Sequence, residues 1–165
     1  MLIAYGLLIV AVGMDLRSMR ISNRLILIGL EVSLIRRVFC DGIGGLFTGV
    51  FLISLPVIVL YLLFLAGALG AGDIKLFSLL GGFLNFKELM WCMIFSFLFA
   101  AIFSFAKMLY HGMFFSGMKH ALVYFYKLLQ GDREAYQPLS VEHGRIHFSL
   151  AILFGLVATD AYFIS

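Results

Sequence analysis

Between Asp41 and Asp73 the chain carries no charged side chain at all. A run that long and that apolar leaves little choice of solvent in a chain of 165 residues that is 63% hydrophobic and 13% charged. Too little polar surface remains to face water, so this is an integral membrane protein. Backbone groups cannot stay unpaired in hydrocarbon, which limits spanning structure to helices or a closed barrel. The apolar runs are continuous rather than alternating, and that selects helices. The expected fold is an all-α membrane protein, one domain over residues 1–165, built as a bundle of about six transmembrane helices with a cytoplasmic interfacial helix.

Taken in order, helix 1 is expected from Met1 to Asp15 or Leu16. That is about 23 Å, short for a bilayer unless it continues past the acid. A basic segment follows, with Arg17, Arg20 and Arg24. Helix 2 covers Ile21 to Cys40 and contains Glu31, expected to pair with an arginine or polar group of a neighbouring helix in preference to adding a third acid to the site, and Arg36 and Arg37, expected to snorkel at its far end. Asp41-Gly42-Ile43-Gly44-Gly45 is a turn, and helix 3 runs on to Leu69. Gly45 and Gly49 are spaced for close helix packing and Pro56 for a kink. Helix 4, Asp73 to Phe86, is too short to cross unaided. Helix 5, Leu89 to Tyr110, is a plain Phe-rich span. Met113 to Gln130 reads as the interfacial amphipathic helix, Gly131 to Gly144 as a polar loop, and Ile146 to Ile164 as helix 6.

This threading puts Arg17, Arg20, Arg24, Lys75, Lys107, Lys119, Lys127, Arg133 and Arg145 on one side, against Arg36, Arg37 and Lys87 on the other. The first side is the cytoplasm, so the N-terminus lies outside. The net charge of +3 reads as orientation, with no nucleic-acid partner expected. Met1 to Met14 lacks a basic start and a small-residue cleavage site, so it reads as a retained helix. Cys40 and Cys92, each beside apolar sequence, are expected to be small buried hydrophobes.

Two acids stand out because each arrives at the end of an apolar run on the cytoplasmic side: Asp15, and Asp73 in Gly70-Ala71-Gly72-Asp73-Ile74-Lys75. A carboxyl at or in a membrane is expensive and is kept for a reason. Gly70 and Gly72 allow unusual backbone and close approach beside it, while the plainer reading of Asp73 is an acid that starts a helix. Two carboxyls held at one depth and facing each other share a proton. One then takes a proton from water as it attacks a peptide carbonyl, while the other hydrogen-bonds the carbonyl oxygen and protonates the leaving amine. The scissile bond must be extended, since a helix hides its carbonyls.

Gly70-Ala71-Gly72-Asp73-Ile74-Lys75-Leu76, followed by Gly81-Gly82, resembles the G-x-G-D signature of type IV prepilin peptidases. Asp15-Leu16-Arg17, followed by Ile21-Ser22-Asn23, resembles the segment that carries their first aspartate, and Arg145-Ile146-His147-Phe148 resembles the start of their last helix. Ser22 and His147 stand where the family usually has proline. The resemblance implies a six-helix intramembrane aspartyl endopeptidase with Asp15 and Asp73 as the catalytic pair. Gly70, Gly72, Lys75 and Asn23 then bind substrate or shape the site. Its substrates would be prepilin-like proteins with a basic leader and a hydrophobic helix, cut at the cytoplasmic face of the inner membrane. Pilus or secretion machinery would be further partners. No C-x-x-C is present and the chain begins in helix 1, which resembles the short form found with tight-adherence (Flp-type) pilus systems. It implies cleavage without methyl transfer, and no cofactor.

Three other readings compete. A small proton- or ion-coupled transporter would use the two acids as a relay, but such relays sit near the midplane in paired repeats, and no repeat is evident. A metal site would draw on His143, His147 and Glu142 with His111 and His120. The H-E-x-x-H order is absent, so no metal is expected and the histidines read as interfacial or loop residues. A structural pilus-assembly subunit would tolerate loss of either aspartate.

Overall fold

The computed structural model describes residues 2–18, 21–110 and 148–164. The expected interfacial helix, the polar loop after it, the four histidines and the Arg145-Ile146-His147 segment lie outside the described residues, as does Arg20. Among the described residues the protein is all helical: α1 Leu2–Ser18, α2 Asn23–Leu65, α3 Ala71–Phe83, α4 Phe86–Tyr110 and α5 Phe148–Ile164. Asn23–Leu65 and Phe86–Lys107 are long and apolar enough to cross a membrane. Contacts divide the chain into two compact units, Met1–Phe99 with His147–Ser165, and Ala100–Ile146. The described part of the second unit is the end of α4; all that follows concerns the first.

The 43-residue α2 holds both expected helices 2 and 3. Its helical geometry breaks at Gly42, where φ is 65° and ψ is −152°. Only glycine adopts that conformation at low cost, and there the chain doubles back. Gly49 consequently lies against Leu34 and the Arg37 side chain, and Gly45 against the Arg37 carbonyl, the close packing their spacing predicts. Pro56 is buried in the second arm and does not break it: Gly42 is the one non-helical residue in α2. Ser22 caps the helix start by accepting a hydrogen bond from the Arg24 N–H at 3.3 Å.

The thirteen-residue α3 lies between the two arms. A methyl group at Gly81 would strike the Leu52 carbonyl of one arm, and one at Gly82 would strike Ser33 of the other. Absent side chains therefore set the spacing of three helical segments. Arg37 locks the arrangement. Its Nε donates to the Gly82 carbonyl at 2.7 Å and its Nη2 to the Leu84 and Gly81 carbonyls at 2.6 and 3.3 Å. The last carbonyls of a helix have no partners of their own and form its negative pole, so a planar cation with several donors is the side chain that suits them. The expectation that Arg37 snorkels outward is thus corrected: it is 6% exposed and turned inward.

Phe77 of α3 is fully buried and packs against Phe97 of α4 and Phe148 of α5, with ring centroids 6.3 and 6.1 Å away. This cluster draws the middle of α3 and the start of α5 together. α1 and α5 are joined near both ends, by Ser149 with Asp15 and by Tyr5 with Asp160, at 2.6 and 2.7 Å. The pairs are crossed in sequence, so the two helices run antiparallel. Cys92 is buried as expected, whereas Cys40, two residues before the Gly42 break, is exposed.

Candidate active site

Asp15 lies in the last turn of α1, which continues past it to Ser18. The carboxyl is half-buried, and its Oδ2 accepts a hydrogen bond from the Ser149 hydroxyl at 2.6 Å. Ser149 is itself fully buried in the first turn of α5. A short, charge-assisted bond from a fixed donor limits the rotamers open to Asp15.

Asp73 lies in the first turn of α3, outside the two long apolar helices. Its Oδ2 accepts the backbone N–H of Gly70, the N-cap, at 3.1 Å. The plain reading of Asp73 as a helix-starting acid is therefore correct as far as it goes. It occupies one carboxylate oxygen.

Gly70 and Gly72 do not use the backbone freedom expected of them. Their φ values are not positive; among the described residues the glycines with positive φ are Gly42 and Gly67. A methyl at Gly70 would sit 3.1 Å from Asp73 Oδ2, a crowding that bears on the carboxyl, while one at Gly72 would make ordinary contact with Ile21 at 3.4 Å. Lys75 and Asn23 meet each other: the ammonium donates to Asn23 Oδ1 at 2.8 Å and ties the start of α2 to α3. Glu31 is exposed, and the pairing expected of it is not found among the described residues.

Two residues escaped the sequence reading. Ser149 orients Asp15, but a lone serine in an apolar helix carries no distinguishing signal. Asp160 is an acid inside an apolar helix and so did carry one; its bond from Tyr5 gives it a structural task away from the other two acids. Among the described residues no group of His, Cys, Asp and Glu is arranged to hold a metal ion.

The fold and site define a helical membrane protein with one acid in the last turn of α1 and another at the glycine-framed start of α3. Residues 2–105 match the profile of the type IV leader peptidase family. The chain belongs to that family, and peptidase chemistry, a hydrolase activity, comes with it. No curated protein and no solved structure matches.

Proposed function

We propose that this protein is an intramembrane aspartyl endopeptidase that removes the basic leader from prepilin-like substrates at the cytoplasmic face of the inner membrane. The observation that supports the reading is the match of residues 2–105 to the leader peptidase family, in a chain with Asp15 in the last turn of α1 and Asp73 in the first turn of α3. Asp73, in its protonated form, donates a hydrogen bond to the scissile carbonyl oxygen and then its proton to the leaving amine. Asp15, oriented by Ser149, takes the proton of the attacking water. Nothing is consumed but water.

The reading includes a single domain that crosses the membrane with six helical segments, the two arms of α2 counted separately, and an N-terminus outside. Lys75 and Asn23 contribute by fixing the start of α2 beside α3. Hydrolysis is the whole activity in this proposal. The test is incubation of the full chain in liposomes with a prepilin-like substrate and S-adenosylmethionine, followed by mass spectrometry. The expected product has lost its leader and gained no methyl group. An uncut substrate would contradict the protease reading, and a methylated product the restriction to hydrolysis.

A further inference from the structure

Where the two arms of α2 diverge toward Asn23 and Ile58, they leave an open groove of about 580 Å³ floored by α3. Its walls are aliphatic, with Ile26, Leu30, Ile53 and Val57 among them. Four polar residues interrupt them: Asn23, Ser54, Lys75 and Ser78. The Ser78 hydroxyl is, among the described residues, the one buried side-chain polar atom without a hydrogen-bond partner, although Ser78 is only 6% exposed. Ser33, Ser54 and Ser96 all donate to carbonyls of their own helices. A buried hydroxyl left unpaired is costly, and such groups usually have a partner that completes them. One turn nearer the mouth on the same face of α3, Lys75 spends one of its three N–H groups on Asn23 and keeps the others for an anion.

We propose that this groove binds an anionic glycerophospholipid. The phosphate sits at Lys75, an ester carbonyl accepts from Ser78 Oγ, and one acyl chain lies along Ile26, Leu30, Ile53 and Val57. The spacing fits, because residues three apart on a helix differ by about 4.5 Å in height, close to the separation of phosphate and ester carbonyl in such a lipid. The charge also selects: a cation at the mouth attracts an anionic headgroup and opposes a basic leader. The site lies on the arm-facing side of α3 and does not depend on the proteolytic reading.

The experiment uses the full chain in phosphatidylcholine vesicles containing a trace of phosphatidylglycerol or phosphatidylcholine with a diazirine on the acyl chain. After photolysis, labelled positions are read by peptide mass spectrometry. The phosphatidylglycerol probe should label groove positions over the exposed outer residue Leu62. It should do so about fivefold more than the phosphatidylcholine probe, the effect of one cation on an anionic headgroup. Lys75→Gln should erase the preference between headgroups, and Ser78→Ala should weaken groove labelling by both probes, with melting curves confirming that each variant is folded. Equal labelling of groove and outer face, or a headgroup preference that survives Lys75→Gln, would overturn the proposal. So would crosslinking of the groove to a second copy or to a substrate helix that excess phosphatidylglycerol does not displace.

Discussion

Asp15→Asn and Asp73→Asn are each expected to lower the rate of leader removal by about 10²–10⁴-fold, the range that positioned acid–base groups supply. Asparagine keeps the shape and removes the titrating proton, so the local hydrogen bonds can persist. At position 15 its carbonyl oxygen can still accept from Ser149, and at position 73 from the Gly70 N–H. Both variants should therefore insert and fold. Glu31→Gln is the control: Glu31 is exposed and lies on the first arm of α2, so activity should be retained. Cleavage is measured in liposomes and folding by thermal melting. If a structural pilus subunit or a transporter were the right description, neither Asn variant would affect leader removal.

The second large effect is on stability. Arg37→Ala strands the carbonyls of Gly81, Gly82 and Leu84, which Arg37 now satisfies at the buried end of α3. Leaving buried acceptors without donors is expected to destabilise the fold by about 2–4 kcal/mol. Arg37→Lys should recover little, because a compact ammonium lacks the planar fork that reaches several carbonyls at once. Unfolding in mixed micelles gives the values, and a melting temperature unchanged by Arg37→Ala would contradict the capping role.

The helices were legible because lipid imposes continuous apolar runs, and the reversal at Gly42 was legible from the glycines that follow Asp41. The acids were legible for the same reason in negative: a charge at the end of such a run stands out. What was hidden depends on partners remote in sequence. Arg37 meets carbonyls 44 to 47 residues away, and a backbone acceptor at a helix end leaves no mark in the side chains. Ser149 reaches Asp15 across 134 residues. Cys40 was misread from its apolar neighbours, since it lies two residues before the Gly42 break and is exposed there. Gly70 and Gly72 were credited with backbone freedom when only Gly70 is crowded, and by Asp73 itself.

The central claim is that Asp15 and Asp73 form one catalytic unit rather than two independent acids. A double-mutant cycle on the rate of leader removal tests it, with native protein, the two Asn variants and the Asp15→Asn, Asp73→Asn pair compared at one pH. Members of a single unit are strongly non-additive, so the double variant should cleave no more slowly than the slower single one. Independent losses that multiply in the double variant, or normal cleavage by a well-folded single Asn variant, would contradict the account.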